Sequence, residues 1–263
     1  MTLAWRGTHA VVTGASKGIG RHVARELAGR GARVSLVARS RSALDELARE
    51  ICGHAVSVDL ADREQIHGLI SRIEAEAGPV DVLVNNAAVA VVGRMHEQSA
   101  GEVAQSFDLN CVAPIELTRQ ALPGMLERGC GRIAMISSLA GITAFPTLTT
   151  YGATKAGLVH FATALQRELR RTPVRTTVVQ LGEVAGTDMM ERARQSPTIA
   201  AVSRRLARTH SMPALSIELV ARKIVDGTAA GRRTVVVPAR VRGFHVIREL
   251  PSRMNDAILV GIE

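Results

Sequence analysis

Short runs of apolar residues alternate with longer amphipathic stretches along almost the whole chain. HAVVTG (His9 to Gly14), RVSLVA (Arg33 to Ala38), HAVSVD (His54 to Asp59), VDVLVNNA (Val80 to Ala87), GRIAMISS (Gly131 to Ser138), VRTTVVQL (Val174 to Leu181) and TVVVP (Thr234 to Pro238) each carry the length and β-branched content of a strand. Between them, Gly18 to Gly29, Ser42 to Ile51, Asp62 to Ala77, Ser99 to Arg128, Thr150 to Arg171 and Ser216 to Ala229 repeat apolar residues at helical spacing. Strands that are apolar on both faces need helices above and below, which only a largely parallel sheet supplies. The expectation is an α/β, Rossmann-like, doubly wound domain spanning 1–263, with a seven-stranded, mostly parallel sheet. Two segments fall outside the alternation: Glu183 to Pro213, expected to cover a substrate, and a tail from Ala239 to Glu263.

Composition narrows the function classes. Apolar residues make up 46% and aromatics only 2%, so the core and any pocket must be aliphatic. The formal charge of +9 comes almost wholly from arginine. These arginines are scattered, with no basic run and almost no rings on which bases could stack, which disfavours nucleic acid and favours a phosphorylated small molecule. Cys52, Cys111 and Cys130 show no metal or redox spacing and read as reduced thiols of a cytoplasmic protein. No metal site, signal peptide or membrane-length apolar run is expected.

The first strand ends in TGASKGIG, Thr13 to Gly20, and a helix follows at once. Gly14, Gly18 and Gly20 let backbone amides approach a diphosphate, and the helix N-terminus adds its partial positive charge. After the second strand come Arg39 and Ser40, where NAD binders usually carry an acid. Arg39, with Lys17 nearby and no acid between them, points to the 2′-phosphate of NADP. Asp59 is suited either to accept from an adenine amino group or to cap a helix, with Asp62 better placed for capping. Asn85 and Asn86 are suited either to hold their loop or to touch ribose.

The chain has one tyrosine, Tyr151, and one of its three lysines, Lys155, lies four residues on. At that spacing they share a helix face. A neighbouring ammonium favours the phenolate and lowers a tyrosine pKa from about 10, suiting the pair to alcohol–carbonyl interconversion. Ser138, at the carboxyl end of the fifth strand, is placed to hold the substrate oxygen. Asn110 precedes Pro114 by four residues, and an asparagine at such a kink can hold a water beside the lysine.

TGASKGIG, NNAA, the asparagine of DLNCVAP, the second serine of ISSLAG, and YGATK together resemble the short-chain dehydrogenase/reductases, over about Thr8 to Thr187 and more weakly to Pro238. The resemblance implies a catalytic set of Asn110, Ser138, Tyr151 and Lys155. Tyr151 is the acid/base, Lys155 its partner and ribose anchor, Ser138 the carbonyl orienter and Asn110 the proton-relay holder. It also implies a cofactor site lined by Gly14, Ser16, Lys17, Gly18, Ile19, Gly20, Arg39, Ser40, Asp59, Leu60, Asn86, Ala87, Tyr151, Lys155, Val184 and Thr187. The cofactor implied is NADPH, and a homodimer or homotetramer is implied with it. Two departures stand out: Ala88 replaces a usual glycine, and LGEVAGT (Leu181 to Thr187) lacks a usual proline and shifts the threonine by one.

The substrate is less legible. Met189, Met190, Ile199, Val202, Leu206 and Met212 either line a pocket for a hydrophobic carbonyl or alcohol or form a helix packing face. Arg192, Arg194, Arg204, Arg205 and Arg208 either attract an acidic substrate or form a solvated face. In the tail, Val241, Phe244, Ile247 and Leu250 form an apolar stripe, and AILVGI (Ala257 to Ile262) ends it. The expectation is that the tail is covered by the pocket, a partner subunit or, less favoured, a membrane surface. The leading function is an NADP-dependent oxidoreductase. The alternatives are an epimerase or dehydratase of related fold, or a non-catalytic NADPH-binding regulator.

Overall fold

The computed structural model describes residues 2–208 and 214–241. Its strands are β1 (His9–Thr13), β2 (Arg33–Ala38), β3 (His54–Ser57), β4 (Val82–Asn85), β5 (Arg132–Ser138), β6 (Arg175–Leu181) and β7 (Thr234–Val237). They form one sheet in the order β3-β2-β1-β4-β5-β6-β7, and every neighbouring pair is parallel. The expected sheet was mostly parallel; the observed one is wholly so.

The helices are α1 (Gly18–Gly29), α2 (Arg41–Ile51), α3 (Arg63–Ile66), α4 (Leu69–Ala77), α5 (Ala100–Phe107), α6 (Ala113–Glu127), α7 (Thr149–Glu168), α8 (Asp188–Ala193), α9 (Pro197–Arg208) and α10 (Ile217–Ala229). Alternate residues of each strand feed opposite layers, as the two-residue side-chain period requires. Ala10 and Val12 of β1, with Val82 and Val84 of β4, pack against Val23 and Leu27 of α1 and against Val220 and Ile224 of α10. Val11 and Leu83, their strand neighbours, join the other layer with Leu117, Leu158 and Ala162. Burial on both faces is why these strands read as unbroken apolar runs.

Three elements depart from the sequence reading or sharpen it. The helix expected over 62–77 is split by His67 and Gly68, with Gly68 at φ 64° in the left-handed region. Asp62 caps the first piece by accepting from Glu64 N and Gln65 N. The helix expected over 99–128 takes the kink expected at Asn110 in the form of a π turn at Asp108–Val112. Proline supplies the reason. Pro114 has no N–H for the carbonyl four residues back, which is Asn110's, and Ala113 N donates instead to Asp108 O, five back. The segment from Glu183, expected to be a loop, contains α8 and α9. Leu206, Arg208 and Met212, and the tail stripe beyond Val241, lie outside the side chains described. No helix among the described residues is long and apolar enough to cross a membrane.

Candidate active site

The strand order reverses direction between β1 and β4, and at that switch point the carboxyl ends of both strands open a crevice. The crevice floor is tightly built. Gly14 stands at φ 66°, and a Cβ there would come within 2.9 Å of Ala87 Cα and Asn86 Nδ2. A Cβ on Gly20 would meet Gly14 O at 2.3 Å and Asn86 Nδ2 at 2.6 Å. The turn closes only because both residues lack side chains. Asn86 locks it from the far side, donating from Nδ2 to Thr13 O at 2.9 Å and to Gly14 O at 3.4 Å. Thr13 Oγ1 in turn accepts from Asn86 N at 2.9 Å and Ala87 N at 3.0 Å. The amide nitrogen of Asn86 thus holds the turn. Asn85 is also tied in place, its Nδ2 donating to Thr118 Oγ1 at 3.2 Å.

α1 starts at this turn with no side-chain cap and no acid in its first turn. Its positive end therefore opens on the crevice uncapped by its own residues, an arrangement suited to a diphosphate. A dinucleotide fits the residues present on that account.

The expected catalytic residues converge on the same crevice from β5, the π turn and α7. Ser138 ends β5, accepts from Ala140 N at 3.1 Å, and lies close enough to Tyr151 for its hydroxyl to favour the phenolate. Lys155 lies one turn further along α7, with Nζ 5.8 Å from the Tyr151 ring centre. Lys155 Nζ donates to Ile136 O at 2.9 Å, and Ser137 Oγ donates to Lys155 O at 3.1 Å, so β5 fixes the lysine at both ends. Asn110 is fully buried. Its Nδ2 donates to Val89 O at 2.8 Å and Thr154 Oγ1 at 3.1 Å, and its Oδ1 accepts from Val89 N at 2.8 Å. The side chain thus pins the loop after β4 to α7.

The electrostatics correct one expectation. Burial pushes the Tyr151 phenol up to about 12, opposed only by the Ser138 hydrogen bond, and no lysine contribution outweighs it. Burial pushes Lys155 down to about 8, with nearby Cys111 opposing. The pair was expected to lower the phenol. The ligand-free site does the reverse, because desolvating both groups costs more than their separation returns.

The cofactor-side cations also depart from the reading. The sequence implies that Lys17 and Arg39 converge without an acid, yet each has one. Lys17 Nζ lies 2.6 Å from Asp188 Oδ2, and Arg39 Nη1 lies 3.8 Å from Asp59 Oδ2. Asp59 also accepts from Ala61 N at 3.0 Å and so caps its own turn. Neither pairing was legible locally, since 171 residues separate Lys17 from Asp188. Ser16, Ile19, Ser40, Leu60 and Ala87 belong to the segments that follow β1, β2, β3 and β4, all at the crevice edge.

The LGEVAGT segment forms the crevice's third wall. Val184 is buried and bridged to Leu215, with Ala185 N donating to Leu215 O at 3.0 Å and Leu215 N to Glu183 O at 2.9 Å. Thr187 caps α8, accepting from Met190 N at 3.3 Å. Glu183 is ion-paired with Arg194. Ile199 and Val202 are buried, which favours the packing-face reading for them, whereas Met189 and Met190 remain half-buried. Arg192 and Arg204 are exposed.

Comparison with known proteins settles the lineage. The family model for short chain dehydrogenases matches residues 8–198. This chain belongs to that family. It is 38% identical over 203 residues to the ketoacyl reductase HetN of Nostoc sp. (strain PCC 7120), covering 75% of this chain and 71% of that protein. It is 33% identical over 191 residues to the 3-oxoacyl-[acyl-carrier-protein] reductase FabG of Haemophilus influenzae, covering 71% and 77%. Among solved structures, a short-chain dehydrogenase from Streptomyces avermitilis superposes with TM-score 0.79 at 30% identity, covering 96% of this chain and 94% of that one. A closed form of serine dehydrogenase complexed with NADP+ superposes with TM-score 0.76 at 28% identity, covering 88% and 94%. The chain is thus a short-chain dehydrogenase/reductase-type oxidoreductase, of a family that binds NAD or NADP.

Proposed function

We propose that the protein is an NADPH-dependent reductase of aliphatic ketones, with Tyr151 as the proton donor. The observation that carries this reading is the placement of Tyr151 with Lys155 Nζ 5.8 Å from its ring, beside the end of β5 that holds Ser138 and the lysine, in the crevice with the glycine turn. When bound, the nicotinamide supplies the hydride to the carbonyl carbon. Ser138 and Tyr151 then hold the carbonyl oxygen, and Tyr151 delivers its proton as negative charge develops there. Lys155 replaces the lost proton's charge. Pro114 cannot donate to the Asn110 carbonyl, which supports a water held between that carbonyl and Lys155 as the route to solvent.

Arg39 and Lys17 support NADP over NAD, each exchanging its carboxylate partner for phosphate. The half-buried Met189 and Met190 at the third wall, and the almost ring-free composition, support an aliphatic substrate. The ketoacyl and 3-oxoacyl reductases among its relatives make 3-oxoacyl thioesters the first class to test. A role in the cytoplasm as a homo-oligomer belongs to the same reading.

Replacing Tyr151 with Phe should lower turnover about 10²–10⁴-fold while leaving NADPH affinity within about twofold. The measurement is NADPH consumption against a panel of 3-oxoacyl thioesters and ketones, with binding followed separately by nucleotide fluorescence. An unchanged rate in the variant would remove Tyr151 from the chemistry and favour a non-catalytic NADPH binder.

A further inference from the structure

The third wall reaches the glycine turn through an ion pair: Lys17 Nζ donates to Asp188 Oδ2 at 2.6 Å, with both side chains more than half exposed. Beside it the two segments come close without touching, since even a Cβ placed on Gly18 would lie 4.0 Å from the Thr187 methyl. Lys17 is the residue before α1, and Asp188 is the first residue of α8. Asp188 thus brings an acid from another part of the chain to the residue that precedes α1, whose own first turn has none.

We infer that Asp188 is an internal counter-ion for the phosphate end of the cofactor site, and that it limits cofactor affinity by occupying Lys17. This rests on the reading that the crevice binds a phosphorylated dinucleotide. α8 and α9 follow Asp188 directly, so releasing its carboxylate loosens the third wall from the glycine turn at the moment a phosphate arrives. At the other end of α8, the Glu183–Arg194 pair lies within the wall itself and has no partner on the glycine turn, so it stays in place. Cofactor entry and wall position are coupled through one ion pair.

An exposed pair of this kind is worth about 0.2–1 kcal/mol, and its release is therefore worth up to about fivefold in affinity. Asp188→Asn should tighten NADPH binding by about two- to fivefold, measured by fluorescence titration without substrate. Lys17→Met should weaken it, and adding Asp188→Asn to Lys17→Met should recover much less than it gains in the parent. A thermal scan of each ligand-free variant confirms that folding is intact, as expected for substitutions on the surface. Unchanged or weakened binding in Asp188→Asn overturns the inference, and so does a full gain that persists without Lys17. If the unaltered protein binds neither NADPH nor NADH, the cofactor reading itself fails and takes this inference with it.

Discussion

The two walls of the crevice are built on opposite principles. On the α7 side, Asn110 and Lys155 are buried and hydrogen-bonded to fixed partners on β5 or the neighbouring loop, and Tyr151 beside them is half-buried. On the phosphate side, Lys17 and Arg39 are 62% and 70% exposed and rest on carboxylates that can leave. Proton chemistry needs donors held in place before the substrate arrives, and burial supplies that at the cost of charge stability. Phosphate binding needs cations that can change partner. The difference predicts that substitutions on the first wall register as folding free energy, while those on the second register almost wholly as affinity.

The largest such effect is expected at Asn110. Removing its amide leaves Val89 N and Val89 O without their partners and costs Thr154 a donor. A buried backbone group left unpaired costs about 1–3 kcal/mol. Asn110→Ala should therefore lose about 2–4 kcal/mol in denaturant unfolding. A loss below about 1 kcal/mol would mean that water replaces the amide and that this wall is less dry than its burial implies.

Lys155 sharpens the contrast with the opposite sign. Its folded pKa of about 8 lies below the ordinary 10.5 because burial disfavours the ammonium. Below pH 8 the folded protein carries that penalty in full. Between pH 8 and 10.5 the unfolded chain holds a proton that the folded one has released, so stability rises with pH. Above about pH 10 the raised Tyr151 pKa works against this, since the unfolded phenol ionises first, so the clean window is pH 8 to 10. Lys155→Met should gain about 1–2 kcal/mol at pH 7, after allowing for the hydrogen bond lost at Ile136 O, while losing turnover. The stability gap to the parent should close as pH rises through the window. A pH-independent gap would place the lysine charge in water rather than in the wall.

The same contrast explains what the sequence could and could not reveal. Parallel strands buried on both faces leave apolar runs that can be read without a partner in view, and the seven-strand sheet follows from them. Tyr151 and Lys155 were legible because four residues on a helix is a local relation. The break at Gly68 was hidden inside an amphipathic pattern that continues on both sides of it. α8 and α9 were hidden because short arginine-rich helices resemble a polar loop. The acid beside Lys17 was invisible because it arrives from a distant segment, whereas Asp59 is expected in the same site as Arg39 but not as its partner. The direction of the Tyr151 shift was misread because spacing says that an ammonium is near, whereas only packing says how far both groups are from water.

Arg39 should give the smallest stability effect, and it is the cleanest probe of the exposed wall. Its nearest carboxylate is 3.8 Å away, a loose pair in solvent, so Arg39→Ala should change unfolding free energy by less than about 0.5 kcal/mol. Its effect on binding should be selective. If the guanidinium meets the 2′-phosphate, NADPH affinity should fall while NADH affinity stays within about twofold, because only NADPH carries that group. An equal loss for both nucleotides would place Arg39 at the adenine or the diphosphate instead. The same titration in Asp59→Asn separates the parked carboxylate from the phosphate contact. Freed of its partner, Arg39 should bind NADPH more tightly, unless Asp59 itself accepts from the adenine, in which case NADPH and NADH should weaken together.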